Sequence, residues 1–394
     1  MKSFIERGSL VRRMFEEAIK LKAMHGADAV FDFSLGNPDV RPPAAFKKAV
    51  LDMMNDDSTS LHGYMPNAGF VDVREKVAQY LNKTLCKNLS KPVGPEHLIM
   101  TVGAAGGINS FLKAILDPGD NVMVLAPFFM EYVFYAENHA AKVNIAQTDR
   151  NFKPDLDSIA DKLNDRTRAV IVNSPNNPTG VIYTKEDLDG LGKVLEAKSK
   201  QFGRPIFLIS DEPYRKIVFG GAVVPSVFES YTYSVLVNSF SKDVSIAGER
   251  IGYVCVSPEI PNSEDLMQAA ILANRILGFV SAPALMQRVV PYLLEESVDV
   301  SIYERRMNIL IKALSEIGYD LVKPQGTFYL FPKSPIPDDL AFIKLLTNEL
   351  ILAVPGSGFA RPGYFRLSIC MDEKKVARSV DGFEKALKKA KSLV

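Results

Sequence analysis

The sequence predicts an α/β protein in which a mostly parallel sheet is flanked by helices and a smaller α+β domain is attached. The chain has 394 residues, which is too long for one ordinary core. Its middle alternates short apolar runs with helical patterns, and this alternation ends after residue 261. Apolar runs without strict alternation are typical of strands buried on both faces, as in parallel sheets.

Seven apolar runs in the middle of the chain predict the strands of this sheet. A glycine-rich turn at 103–107 and a helix at 108–116 follow the first run, and a helical segment at 185–200 suits a crossover between parallel strands. We therefore expect a seven-stranded sheet with helices on its faces. The predicted strands are 97–102, 121–125, 142–146, 168–173, 205–210, 234–238 and 252–256.

The C-terminal part of the chain predicts the second domain. It opens on a long helical stretch, from about residue 264 to 314, that is interrupted near Gly278 and Pro283. We assign residues 46–282 to the large domain and residues 1–45 and 283–394 to the small one, and we expect the N-terminal helix to pack with the small domain. The remaining predicted elements are a strand at 327–331, a helix at 340–349, a strand at 364–370 and a terminal helix at 373–392.

Composition excludes several classes of function. Lys plus Arg is 47 and Asp plus Glu is 46, so a net charge of +1 gives no reason to expect nucleic acid or an anionic membrane as partner. The three cysteines are widely spaced, and the four histidines show no metal-ligand spacing, so no metal site is expected. The sequence shows no secretory signal and no apolar run of the ~20 residues that span a bilayer, which predicts a cytoplasmic protein.

Polar segments follow four of the predicted strands. They are the glycine-rich turn at 103–107, an Asn- and Pro-rich segment at 173–180, and the segments 210–214 and 238–242. Ligands of open parallel sheets bind beyond the carboxyl ends of the strands, so we expect these segments to line one crevice. The glycine-rich turn could present backbone N–H groups to a phosphate, or it could be a tight turn without a ligand. It matches neither a dinucleotide fingerprint nor a P-loop.

Lys242 is the residue in these segments with the clearest chemistry. It directly follows a buried strand, with Ser239 and Ser241 before it and Arg250 after it. Two hydroxyls and a guanidinium can bind an anion beside an amine. Burial and nearby cations lower the pKa of a lysine, which is what Schiff-base chemistry requires.

Taken together, these segments resemble the class I/II aminotransferases, the aspartate aminotransferase family of pyridoxal-phosphate enzymes of fold type I. Each motif alone is modest, but the ordered set covers essentially the whole chain and is specific. The matching segments are FSLGNPD (33–39), HGYMPNAGFVDVR (62–74), TVGAAGG (101–107), APFFMEY (126–132), NSPNNPTG (173–180), ISDEPY (209–214), SFSKDVSIAGER (239–250) and YFRLSI (364–369).

The resemblance implies that the cofactor is pyridoxal 5′-phosphate and that Lys242 holds it as a Schiff base and moves the substrate proton. It also implies that Asp211 keeps the pyridine nitrogen protonated, that Tyr214 and Asn177 bond the phenolic oxygen, and that Phe129 stacks on the ring. Without the resemblance, Asp211 could be a helix N-cap, the segment around Asn177 an ordinary turn, and Phe129 a core aromatic.

The resemblance further implies a phosphate site and a substrate clamp. Many relatives carry a hydroxyl where Ala104 or Ala105 stands, so this site would depend more on backbone donors and on Arg250. Arg366, which could otherwise form a surface ion pair, would bind the substrate α-carboxylate with the N–H of Gly36 and with Asn177. Tyr64 would reach the phosphate from a second subunit, so we expect a homodimer with a shared active site. The phosphate ligands implied are Gly103, Ala104, Ala105, Ser239, Ser241 and Arg250.

The expected reaction is transfer of an amino group between an L-amino acid and a 2-oxo acid in a ping-pong cycle. A C–S β-lyase, a decarboxylase or an aminocyclopropane-carboxylate synthase would use the same core residues, so these alternatives stay open. A pyridoxal-phosphate-binding regulator is disfavoured because the first ~45 residues lack a helix-turn-helix pattern. For the substrate side chain, Arg275 or Arg41 could bind a second carboxylate, whereas Phe31, Phe33 and Met65 would suit an apolar or aromatic donor.

Overall fold

The computed structural model describes residues 9–58 and 60–393. Its largest sheet has seven strands, in the order β2-β8-β7-β6-β5-β3-β4. The strands are β1 (Phe31–Asp32), β2 (Leu98–Thr101), β3 (Asn121–Ala126), β4 (Lys142–Gln147), β5 (Thr167–Asn173), β6 (Phe207–Asp211), β7 (Ser234–Ser239), β8 (Gly252–Val256), β9 (Tyr329–Leu330), β10 (Ile351–Leu352), β11 (Val354–Pro355) and β12 (Phe365–Ser368).

The large sheet is mostly parallel, as the sequence predicts. Strands β3 to β7 pair in parallel, and only β8 runs antiparallel, to both β2 and β7. The carboxyl ends of β5, β6 and β7 therefore lie along one edge of the sheet, which brings the segments that follow them together. The seven predicted strands agree with the observed ones to within two residues at each end.

Helices cover both faces of this sheet. Because side chains alternate along a strand, Val170 and Val172 of β5 join the apolar cluster on one face, and Ala169 and Ile171 join the cluster on the other. The helices are α1 (Ser9–His25), α2 (Ala44–Met54), α3 (Val71–Thr84), α4 (Gly103–Ile115), α5 (Glu131–Glu137), α6 (Leu156–Lys162), α7 (Lys185–Phe202), α8 (Ser263–Ile276), α9 (Ala284–Val289), α10 (Val300–Ile317), α11 (Asp339–Asn348), α12 (Glu373–Arg378) and α13 (Val380–Lys391).

The first helix after β2 begins earlier than predicted. The sequence places it at 108–116, after a glycine-rich turn, but α4 starts at Gly103 and includes the glycines. The glycines in this helix serve close packing on the sheet. At Gly107, the Cβ of any other residue would lie only 2.7 Å from a methyl group of Val254. The glycines thus allow the helix to lie closely on β8 rather than preventing it from forming.

Two other helical predictions need correction. The stretch 264–314 is interrupted near Gly278 and Pro283, as predicted, but it breaks a second time around Pro291, between α9 and α10, so that it forms three helices. The terminal helix is broken at Ser379, whose hydroxyl donates a hydrogen bond to the carbonyl of Val376 and competes with the helical pattern.

A third apolar cluster lies in the C-terminal part of the chain. It surrounds the three-stranded sheet β11-β12-β9 and includes Phe33, Tyr303, Phe328 and Phe383. Helix α1 packs on this part through Ala18, against Val30 and Leu352, as expected for the N-terminal helix. None of the helices described is long and apolar enough to cross a membrane.

Candidate active site

A cavity of about 450 Å³ opens at the carboxyl ends of β5, β6 and β7. It collects side chains from the N-terminal segment, the sheet edge, α4, α5 and the C-terminal strands. The predicted site residues that line it are Gly36, Ala104, Ala105, Phe129, Asn177, Asp211, Tyr214, Ser239, Ser241, Lys242, Arg250 and Arg366.

Lys242 lies in the turn after β7, and its Nζ donates a hydrogen bond to the carbonyl of Gly36 at 2.9 Å. Burial lowers the pKa of Lys242 to about 8. The guanidinium groups of Arg366 and Arg250 add to this lowering of the pKa, while Cys370 opposes it. A pKa of about 8 leaves a minor but appreciable fraction of this amine neutral near physiological pH, and the neutral amine is the form that attacks a carbonyl carbon or accepts a proton.

Asp211 is the last residue of β6 and is buried. Its Oδ2 accepts a hydrogen bond from the hydroxyl of Tyr132 at 2.6 Å, whereas its Oδ1 has no hydrogen-bond partner among the described residues. Burial raises the pKa of Asp211 to about 7. A buried carboxylate oxygen without a donor is costly, so this site fits a ligand that brings an N–H to Oδ1. The protonated nitrogen of a pyridine ring is such a group.

Asn173 ties the segments that follow β5 and β6 together. Its Nδ2 donates to the carbonyl of Asp211 at 2.7 Å, and its Oδ1 accepts from the backbone N–H of Asn177 at 2.7 Å. Asn173 is buried and lines the cavity, but the sequence analysis assigned it no role. Its position at the end of a predicted strand was the one signal that could have identified it.

Tyr329 is a second residue that the sequence analysis missed. It lies on β9 and lines the cavity, with its hydroxyl 3.2 Å from that of Tyr214. A Cβ on Gly36 would lie 1.9 Å from the Tyr329 hydroxyl, so the residue at position 36 must be glycine for the two segments to meet. Tyr329 thus contacts predicted site residues on two separate segments, the one at Gly36 and the one at Tyr214.

Arg366 is 4% exposed and lies on β12. Its Nη2 donates to the carbonyl of Ser34 at 2.7 Å and its Nη1 to the Oδ1 of Asn177 at 3.1 Å. The guanidinium lies 4.6 Å from the ring centre of Tyr329. No carboxylate of the described chain pairs with this buried cation, so the site can accept the carboxylate of a ligand.

The phosphate-binding candidates lie at the end of the cavity that the first turn of α4 forms. Ala104 and Ala105 are in the first turn of α4, where free backbone N–H groups favour an anion. Ser239, Ser241 and Arg250 complete this end. Gly103 does not line the cavity but lies behind Arg250, where a Cβ would be 2.8 Å from the guanidinium.

Several residues singled out in the sequence lie elsewhere. Tyr64 is 97% exposed and outside the cavity of its own chain. Arg41 and Arg275 are exposed and do not line the cavity. The expectation that Phe33 would contact an apolar donor is wrong for this chain, because Phe33 is buried against Phe383 in the C-terminal core.

Two further apolar candidates also lie outside the cavity. Phe31 packs on the C-terminal core, and the Sδ of Met65 accepts a hydrogen bond from Gln287. In the part of the chain that the structure describes, no group of three or more His, Cys, Asp or Glu side chains could hold a metal ion.

A mostly parallel sheet with a buried lysine, a partnerless aspartate oxygen and a buried arginine around one cavity defines a class of protein, the pyridoxal-phosphate enzymes that act on amino acids. Residues 28–383 match the family model of aminotransferase class I and II. The chain therefore belongs to this family.

Individual relatives agree with this assignment. The chain is 30% identical to the aspartate aminotransferase of Thermotoga maritima, over 95% of this chain and 96% of the relative. It is 31% identical to the aspartate/prephenate aminotransferase of Thermus thermophilus, over 95% and 96% of the two chains.

Solved structures are equally similar over the full length. An aminotransferase structure from Eubacterium rectale has a TM-score of 0.94 and 36% identity, covering 99% of this chain and 98% of that one. The Thermus thermophilus aspartate aminotransferase with maleate has a TM-score of 0.85 and 26% identity, covering 96% and 97%. The protein is thus a pyridoxal-phosphate-dependent aminotransferase, and its substrates are amino acids and 2-oxo acids.

Proposed function

We propose that Lys242 holds the cofactor and transfers the substrate proton in a ping-pong transamination between an L-amino acid and a 2-oxo acid. One observation carries the proposal. A buried amine whose pKa is lowered by burial and a buried carboxylate oxygen without a donor open into the same cavity, at Lys242 and Asp211. Burial of a charged amine and of a carboxylate oxygen without a donor both cost free energy. A ligand with an aldehyde and a basic ring nitrogen would bond to both groups.

When bound, pyridoxal phosphate supplies an aldehyde that condenses with amines and a ring that accepts the electron pair released at the substrate Cα. Asp211 would accept a hydrogen bond from the protonated ring nitrogen through Oδ1. Lys242, once free, would take a proton from Cα and return it to the cofactor carbon. Tyr214 and Asn177 would bond the phenolic oxygen, and Phe129 would cover one face of the ring.

The two ends of the cavity would hold the two anionic groups. The N-terminal turn of α4 at Ala104 and Ala105, together with Ser239, Ser241 and Arg250, would bind the phosphate, and Gly103 would leave room for the Arg250 guanidinium. Arg366, with Asn177 and the N–H of Gly36, would bind the α-carboxylate of the substrate. Because these two sites are fixed, a bound amino acid would present its Cα to Lys242 each time.

We also propose that the enzyme is a homodimer with a shared active site. Tyr64 is 97% exposed, and Leu272 and Ile276 on α8 are 56% and 62% exposed. Exposed large apolar side chains support a protein–protein contact, and a second copy would cover them and bring Tyr64 to the phosphate. The three free cysteines support a cytoplasmic location. The division into residues 46–282 and residues 1–45 with 283–394 is likewise proposed.

The proposal is tested by spectroscopy of the purified enzyme. Adding an amino donor without an acceptor should convert the visible absorption band of the bound cofactor, and adding a 2-oxo acid should restore it. Lys242→Ala should abolish both changes, because no other amine lines the cavity within the described residues. Lys216→Met is the matched control, since burial also lowers the pKa of Lys216 but this lysine lies outside the cavity.

Two outcomes would contradict the proposal. Normal turnover by Lys242→Ala would show that another group moves the proton. Release of pyruvate or a thiol from the donor without an acceptor would indicate a C–S lyase instead of an aminotransferase.

A further inference from the structure

Glu131 is an acidic residue of the cavity that the reaction described above does not use. It is the first residue of α5 and lines the cavity beside Phe129 and Tyr135. Its carboxylate is partly buried and makes no hydrogen bond or ion pair with any residue that the structure describes. Burial raises the pKa of this carboxyl above its ordinary value. A partly desolvated carboxylate without a partner gains free energy from any N–H donor that reaches it.

The charges that line the cavity show why Glu131 matters. Among residues 9–58 and 60–393, the cations are Lys242, Arg250 and Arg366, and the anions are Asp211 and Glu131. The proposed function assigns a role to all three cations and to Asp211. Within one subunit, Glu131 is therefore the charged lining residue to which the proposed function gives no role, and it is available to the side chain of a substrate.

A second carboxylate on the substrate would meet no unassigned cation of this chain in the cavity. The arginines considered for that role, Arg41 and Arg275, are exposed and lie outside it. Glu131 would instead repel the second carboxylate, because like charges destabilise each other in a partly desolvated site. A side chain that ends in an N–H group would satisfy Glu131, while Phe129 and Ile108 would contact its methylene groups.

We propose that Glu131 is a specificity-determining residue, which favours amino donors whose side chain ends in an amide or ammonium group over dicarboxylic donors. The proposal rests on the proposed function, because it uses the roles given there to Arg366 and Arg250. It gives this chain a substrate class that differs from the aspartate named for several of its relatives. A purely structural role, in which Glu131 only stabilises the N-terminus of α5, would leave substrate choice unchanged.

The test compares the wild-type holoenzyme with Glu131→Gln and Glu131→Ala. We expect kcat/KM for aspartate and glutamate, relative to that for glutamine and lysine, to rise about tenfold in both variants. Glu137→Gln is the matched control, because Glu137 lies on the same helix but does not line the cavity. An unchanged donor ratio in both Glu131 variants would overturn the proposal. If the donor ratio is unchanged and the variants also dimerise more weakly, Glu131 is an interface residue and the proposal is likewise overturned.

A second readout does not depend on turnover. Maleate is a dicarboxylate that cannot transfer an amino group, and its binding can be followed by the absorption of the bound cofactor. Glu131→Gln should bind maleate about tenfold more tightly than the wild type and bind acetate equally well. Equal maleate affinity would overturn the proposal. Failure of the proposed function would look different, because the wild type would then transaminate no donor or Lys242→Ala would remain active.

Discussion

The hydroxyl of Tyr132 donates a hydrogen bond to Asp211 Oδ2 at 2.6 Å, and the other carboxylate oxygen is buried without a partner in the described chain. Burial and the adjacent Asp211 raise the pKa of Tyr132 well above its ordinary value, so the proton stays on the phenol. One oxygen of Asp211 is thereby fixed in place, and the other is left for a ligand.

Tyr132→Phe should shift the acidic limb of the pH–rate profile to higher pH and lower kcat about tenfold. The Tyr132 hydrogen bond opposes the burial that raises the pKa of Asp211, so its loss raises that pKa further. The ionised form needed at the ring nitrogen then appears only at higher pH. Tyr135→Phe is the control, because Tyr135 lines the cavity but does not bond Asp211. An unmoved acidic limb in Tyr132→Phe would refute the positioning role.

Lys242→Met should stabilise the cofactor-free protein at pH 7. Burial lowers the pKa of Lys242 in the folded state to about 8 from an ordinary value of 10.5. The unfolded state therefore binds more protons between pH 8 and 10.5, and stability rises with pH across that window. Below pH 8 the Lys242 ammonium is charged, and its burial lowers the free energy of unfolding by the full desolvation cost. The Lys242→Met variant has no charge at this position and avoids that cost. Thermal melts at pH 7 and pH 10 test this, and the gain in Tm should shrink at pH 10.

Asp211→Asn should act in opposite directions on activity and on stability. Without a carboxylate at the ring nitrogen, we expect activity to fall by at least about a hundredfold. Burial raises the folded-state pKa of Asp211 from 3.8 to about 7, so the cofactor-free protein loses stability as pH rises through that range. Asp211→Asn removes this loss and should raise the Tm of the cofactor-free protein at pH 8 but not at pH 4. A lower Tm at pH 8 would contradict the prediction.

Two substitutions of Tyr329 should separate its hydroxyl from its ring. Tyr329→Phe removes the contact with the Tyr214 hydroxyl and should move the pH midpoint of the visible cofactor band in the same direction as Tyr214→Phe, with KM nearly unchanged. Tyr329→Leu also removes the ring beside the Arg366 guanidinium and should raise KM for the amino acid several-fold. Identical effects of the two variants would show that Tyr329 only fills space.

Mixing two inactive variants should restore activity if the active site is shared. A subunit with Tyr64→Ala keeps Lys242, and a subunit with Lys242→Ala keeps Tyr64. Each mixed dimer would then hold one intact site, and random reassociation of equal amounts should give about a quarter of wild-type activity. No recovery after verified subunit exchange would rule out the contribution of Tyr64 to a second subunit.

The sequence by itself determined the large sheet and the chain positions of the central chemical groups. Apolar runs fix strands locally, and the residue that follows such a run must lie at a sheet edge, which is why Lys242, Asp211 and Asn177 could be placed from the pattern alone. The resemblance to the aminotransferases then added Arg366 and the cofactor. The roles of these residues stay predictions until the variants are measured.

Only the tertiary structure decided which side chains meet across long stretches of chain. Tyr132 and Asp211 are 79 positions apart, and Arg366 and Ser34 are 332 apart, so no local pattern relates them. Whether an aromatic or acidic residue faces the core or the cavity depends on how the elements pack, which placed Phe33 in the core and Glu131 in the cavity. The sequence thus predicted the chemical groups of the site, and the packing of distant segments determined which residues support Asp211 and Arg366 and which side chains line the cavity.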